Sequence, residues 1–243
     1  MQHGRPVAIL GGVRIPFCRQ NTAYADVGNL GMSVRTLGAL VEKFGLHGQQ
    51  LGEVAMGAVI KHSSDWNLGR EAALSSGLSP LTPGITLQRA CGTSLDTIVH
   101  IAGKIATGQI EAGIGGGSDT TSDVPIVYGK ALRQRLLKAA AARTFKDKLA
   151  AFKGFRFAEL KPDFPGVAEP RTGKSMGQHC EDMAKEWNIS RDSQDELAAA
   201  SHHKLAAAYA RGFFDDLVVS FRGVNRDNIL RPDTSIEKLA TLK

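Results

Sequence analysis

The chain has 243 residues, 42% of them hydrophobic and 22% charged, which is enough apolar material for a sizeable core in one or two domains. No apolar run approaches the roughly 20 residues that a membrane span needs. The opening MQHGRPVAIL lacks the cationic-then-apolar layout of a secretion signal, so a soluble, cytoplasmic protein is expected. The formal charge of +6 is local, because residues 126–175 carry twelve Lys or Arg against four Asp or Glu.

Such a basic stretch suits a phosphorylated small ligand, an anionic membrane surface or a nucleic acid, and is also common as a solvated loop. Three widely spaced cysteines, Cys18, Cys91 and Cys180, are an odd number. That argues against a disulfide framework and for a reducing compartment.

In chain order, Pro6–Leu10 (PVAIL) reads as a buried strand closed by Gly11–Gly12. Leu30–Phe44 has helical spacing through Leu30, Val34, Leu37, Leu40 and Val41, with Gly45 as its stop. Val54–Ile60 is a strand, Asn67–Ser76 a short helix and Ile85–Gln88 a third strand. A helix from about Gly92 to Thr107 leads to a strand and glycine turn at Ala112–Gly117. Alternation of this kind implies a layered α/β domain over residues 1–122.

After Asp123 the pattern becomes mainly helical, and residues 123–243 are expected to form a second, inserted domain. Tyr128–Phe157 is rich in Lys, Arg and Ala, and Lys161–Pro170 is a proline-bearing loop. Met176–Trp187 and Ser190–Arg211 read as helices, the second capped by Ser190 and ending near Gly212. Phe213–Phe221 is strand-like.

The chemistry concentrates in Ile85–Ile110, where a strand runs through a tight turn into a helix that opens at Cys91–Gly92. A stripe of Leu95, Ile98, Val99, Ala102 and Ile105 predicts that this helix is buried and fixed. A cysteine at a helix N-terminus meets the positive end of the dipole and unpaired N–H groups, both favouring the nucleophilic thiolate. Gly92 leaves space beside the sulfur, and the N–H of Cys91 can point at a developing oxyanion. The other reading of Cys91 is a small buried hydrophobe, the commonest fate of a free cysteine.

The segment QRACGTSLDT resembles the acylation site of thiolases, and other stretches agree in order along the chain. VAILGGVRIPF (Val7–Phe17), NLGREAAL (Asn67–Leu74) and GGGSDTTS (Gly115–Ser122) are similar to segments of the family's first α/β half. Ser175–Val219, opening SMGQHCEDMAKEW, resembles the coenzyme A-binding insertion, and RPDTSIEKLATLK (Arg231–Lys243) its end. The resemblance implies a thiolase-like layered α/β fold, as an N-terminal half with a mainly helical insertion domain.

By this resemblance Cys91 accepts the acyl group, Met176 lines the acyl and pantetheine pocket, and Arg231 lies near the nucleotide end of coenzyme A. Lys238 and Leu242 occupy positions that border that site. Coenzyme A thioesters would be substrates, with no separate cofactor and no metal. The parent would be a homo-oligomeric acyltransferase (dimer or tetramer) of the fatty-acid-degrading, trifunctional-complex type. The basic Tyr128–Phe157 would then be a surface for a β-oxidation partner subunit or a membrane.

The family's Gly-His-Pro base, second cysteine and Asn-Glu oxyanion segment do not occur in these 243 residues. His100, nine residues beyond Cys91 on one helix, points to the opposite side, and His179, His202 and His203 fall in the insertion as packing or surface residues. The chain alone is therefore expected to be catalytically crippled, since a positioned base contributes about 10²–10⁴-fold. A non-catalytic acyl-coenzyme A or lipid-binding protein, and a ketosynthase, are the alternatives. Nucleic-acid binding is not expected.

Overall fold

A computed structural model describes residues 4–242. The chain divides into two compact units, one formed by residues up to Asp123 together with those from Glu181 onward, the other by Val124–Cys180.

In the first unit, helix α1 (Asn29–Lys43) is followed by β1 (Glu53–Gly57), α2 (Leu68–Leu74), β2 (Gly84–Leu87), α3 (Thr93–Ala106) and β3 (Gly113–Gly117). The strands form a parallel sheet in the order β2-β1-β3. Every residue of the central strand is buried, and its alternating side chains supply both faces. Val54 and Met56 join Leu37 and Val41 of α1, Ala72 and Ala73 of α2, and Leu78 in the main core. Glu53 and Gly57 point the other way, toward α3, where Glu53 meets His100 and Lys104. The helix ends follow local chemistry: Asn67 caps α2 by accepting from Arg70 N–H, and Gly45 leaves α1 at φ 63°.

The contact between α3 and the sheet differs from expectation. Its buried face carries Thr93, Thr97 and Ile101, not the apolar stripe, and Leu95 and Val99 are 68% and 58% exposed. The reason lies in β3, Gly-Ile-Gly-Gly-Gly. A Cβ on Gly115 would lie 2.8 Å from the backbone nitrogen of Ile98, so helix backbone rests directly on strand backbone. Small residues, not leucines, fit that interface.

Two expected strands are absent. Pro6–Leu10 is coil with Ile9 82% exposed and Leu10 83% exposed, because no strand among the described residues pairs with it. Phe213–Phe221 opens in turns and makes only isolated bridges among the described residues, Val218 to Arg14 and Phe221 to Val224. Its rings stack locally instead, Phe214 lying 4.8 Å from Tyr209 and 5.1 Å from Phe213 between centroids.

Residues 181–242 pack with the first unit, where a single insertion over 123–243 was expected. A second core of Tyr24, Val27 and Met32 takes in Phe221 and Val224. Helix α7 (Arg191–Ala210) is capped by Ser190 and ends in Gly212 at φ 72°. The short α8 (Ile236–Ala240) packs on α7.

The second unit has a two-residue ladder of β4 (Val127–Tyr128) and β5 (Pro162–Asp163), helices α4 (Lys130–Ala141) and α5 (Phe145–Ala150), and the start of α6 (Met176–Glu186). Arg135 organises it, pairing with Glu159 at 2.7 Å and donating to the carbonyls of Ala151, Lys153 and Gly154. Leu132 is its one buried side chain. No helix among the described residues is long and apolar enough to cross a membrane.

Candidate active site

The three parallel strands end together: Gly57 is level with Leu87 on one side and Gly117 on the other. The loops that follow them, 58–67, 88–92 and 118–123, therefore emerge at one edge of the sheet, where open α/β sheets place their ligands. Cys91 lies in the middle loop, exposed, directly before Gly92, the N-cap of α3.

The turn that presents it is tight. Ala90 has φ 42°, a left-handed conformation that costs a non-glycine residue on the order of 1–3 kcal/mol. Gly92 N–H donates to the Arg89 carbonyl at 3.0 Å, and Thr93 N–H to the Ala90 carbonyl at 3.1 Å. The Thr93 hydroxyl accepts from Arg89 N–H at 2.8 Å and donates to the Ala90 carbonyl at 2.7 Å. Arg89 pairs with Asp96 at 2.8 Å across the first turn of the helix.

The neighbouring loops are held by short polar side chains. Asp119 accepts from the N–H groups of Val59 and Ile60 at 2.8 Å each, tying the loop after β1 to the loop after β3. The Ser118 hydroxyl reaches the Asn29 carbonyl at 2.9 Å and the Ser33 hydroxyl at 2.8 Å, joining the same edge to α1. His62 faces Asp123 at 3.1 Å. Sequence reasoning missed Asp119, Ser118 and Thr93; the signal for the first two was the run Ser118-Asp119-Thr120-Thr121 directly after the glycine end of β3.

His100 stands apart from Cys91, with its Nε2 2.7 Å from the Glu53 carboxylate at the start of β1 and Lys104 2.8 Å away on the same carboxylate. Burial pushes the Glu53 carboxyl up, yet its bonds to Lys104 and His100 bring it below the usual range.

The other candidate residues fall in both units. Met176 opens α6 in the second unit and is 62% exposed, after a Ser175–Gln178 capping box. Arg231, Lys238 and Leu242 lie in the first unit. His202 Nδ1 accepts from Arg231 N–H at 3.2 Å, and His203 Nε2 donates to the Thr234 carbonyl at 2.8 Å, so the paired histidines fix the 231–234 turn to α7. Lys238 grips Asp233 at 2.8 Å and holds that carboxyl below its ordinary value, with Arg231 adding to the field. The Leu242 carbonyl accepts from Arg191 at 3.2 Å. Among the described residues there is no group of three or more His, Cys, Asp or Glu arranged to hold a metal.

A parallel sheet between helices, with a cysteine exposed on the turn into α3, defines a thiolase-type α/β protein. The chain belongs to the thiolase family: residues 7–243 match the thiolase N-terminal domain. It is 35% identical to a 3-ketoacyl-CoA thiolase of Serratia proteamaculans, over all of this chain and 57% of that protein. It is 37% identical to a 3-ketoacyl-CoA thiolase of Shewanella sediminis, over 99% of this chain and 56% of that one. Its fold superposes on the crystal structure of the Bacillus anthracis acetyl-CoA acetyltransferase with a TM-score of 0.79 and 25% identity, covering all of this chain and 59% of the other. The chain thus spans little more than half the length of these relatives.

Proposed function

We propose that this chain supplies the acyl-accepting cysteine and the coenzyme A-docking residues of a 3-ketoacyl-CoA thiolase, a cytoplasmic acyltransferase. The observation that carries the reading is Cys91 itself, exposed on a strained turn at the ligand-binding edge of the sheet. The Cys91 sulfur attacks the thioester carbonyl of an acyl-coenzyme A. A sulfur–carbon bond forms to Cys91, the bond to the coenzyme A sulfur breaks, and the departing thiolate takes up the proton that Cys91 released. The N–H of Cys91 stabilises the oxyanion on the way. Arg231, Lys238 and Leu242 hold the coenzyme A portion, and the working form is a homo-oligomer.

Incubating the purified chain with acetyl-coenzyme A, followed by mass spectrometry of its peptides, tests this. Because these residues lack the family's positioned base, the expected result is an acetyl adduct on Cys91 that forms slowly, about 10²–10⁴-fold below the rate of a complete thiolase, and disappears in Cys91→Ala. Binding of coenzyme A without any adduct would replace the reading with a non-catalytic acyl-coenzyme A-binding protein.

Residues 124–180 bear on partners. They expose Phe145 at 76% and Phe157 at 84% beside a run of Lys and Arg. That composition fits a partner subunit of fatty-acid breakdown or an anionic membrane surface. Vesicle or partner binding that survives replacement of Lys138, Arg143, Lys146 and Lys148 by Glu would remove the idea.

A further inference from the structure

We infer that Thr93 is the positioning residue of the nucleophile turn, its hydroxyl being what keeps Ala90 left-handed and Cys91 presented; this rests on the reading of Cys91 as acyl acceptor. Thr93 is 5% exposed. Its single hydroxyl bonds both sides of the strained residue, accepting from Arg89 N–H and donating to the Ala90 carbonyl. Those two groups flank Ala90 at φ 42°.

The hydroxyl is held in that orientation by the other branch of the same side chain. Thr93 Cγ2 sits over Gly57, so close that a Cβ there would be 2.0 Å from it. A β-branched side chain has few χ1 options, and with the methyl seated on Gly57 the oxygen is directed at the turn. The position of Cys91 is thus referred back to the end of the central strand through one residue. Serine keeps the hydroxyl and drops the methyl; valine keeps the shape and drops the hydroxyl. The two substitutions separate hydrogen bonding from packing.

The test compares the chain as it stands with Thr93→Val, Thr93→Ser and Cys91→Ala. Transfer of acetyl from acetyl-coenzyme A to Cys91 is expected to fall about 10- to 100-fold in Thr93→Val, the range that a misplaced reacting group produces. Alkylation of the exposed thiol by iodoacetamide should change less than about threefold, because a small reagent needs no defined approach. Thr93→Ser should recover most of the transfer. Wild-type transfer rates in Thr93→Val, or a Thr93→Ser variant as slow as Thr93→Val, overturn the inference.

A second readout stands apart from acylation. Hydrogen exchange at the Arg89 amide should quicken at least about tenfold in Thr93→Val, as for loss of one hydrogen bond; unchanged exchange overturns the inference even if the wild-type chain takes no acetyl group, a result that would count against the proposed function alone. Should Thr93→Val not fold, Thr93→Ala is read against Thr93→Ser instead, since both lack the methyl and differ only in the hydroxyl.

Discussion

Arg14 and Asp227, 213 positions apart, meet in a two-pronged ion pair with distances of 2.7 and 2.8 Å. Asp227 also accepts from Phe17 N–H at 2.7 Å, while its own N–H donates to the Tyr209 hydroxyl at 3.1 Å. The Arg14 guanidinium lies over the Phe17 and Phe214 rings at 4.7 and 5.1 Å. Three segments of the first unit, around Arg14, Tyr209 and Asp227, meet at one carboxylate that is nearly inaccessible. Replacing Asp227 by Ala should therefore cost about 3–5 kcal/mol, because it strands a partly buried cation. A urea-unfolding midpoint within error of wild type would contradict that.

The same carboxylate sets an acid limit. Burial alone raises the Asp227 carboxyl, but the bonds from Arg14 and from Phe17 N–H hold it below its ordinary value, and Glu53 is lowered in the same sense. A carboxyl lowered in the folded state adds stability that is fully present above its unfolded value, near pH 4, and is lost as pH falls through the folded value. The melting temperature should hold level from neutral pH down to about 5 and fall steeply below about 4. In Asp227→Asn combined with Glu53→Gln the curve should start lower and flatten; parallel curves would rule out these two groups as the cause.

The glycine-lined contact beneath α3 leaves no room for a methyl group. At Gly115 a Cβ would lie 2.8 Å from Ile98 N and 2.9 Å from Thr97 C, backbone atoms that cannot swing away. Gly115→Ala is expected to destabilise the chain by about 2–3 kcal/mol. Thermal denaturation measures it, and a neutral result would mean that the helix stands farther from the sheet.

On the opposite side of the same helix the expectation reverses. Leu95 and Val99 are largely exposed, so Leu95→Glu together with Val99→Glu should shift the stability of this chain by no more than about 0.5 kcal/mol each. A loss of several kcal/mol would show that this face is covered in solution.

The helices and the central strands were legible because local pattern decides them. Leu37 and Val41 share a helical stripe that ends at Gly45, and Val54 and Met56 alternate along a buried strand. What the pattern could not tell was which face meets what. In α3 the apolar stripe and the buried face are different sides, because the glycine-rich strand β3 beneath it selects Thr93, Thr97 and Ile101. Pro6–Leu10 has strand composition, yet a strand also needs a neighbour to pair with.

At the site, Cys91 was legible from its strand–turn–helix setting, and the left-handed residue before it was not. Alanine carries no sequence sign of a positive φ, whereas glycine or asparagine would have. The positions proposed to dock coenzyme A rested on likeness alone, and the Asp233–Lys238 clasp beside Arg231 has no sequence signature.

The thin interior of residues 124–180 has a kinetic consequence. A segment that hides only Leu132 has little to lose by opening, so it should unfold locally many times for each opening of the sheet. A protease at low dose would then find its first cuts near the left-handed glycines Gly154 and Gly173 and release the parallel sheet as a resistant fragment. The protein is, in effect, graded in durability along its own chain, with Cys91 on the part that lasts.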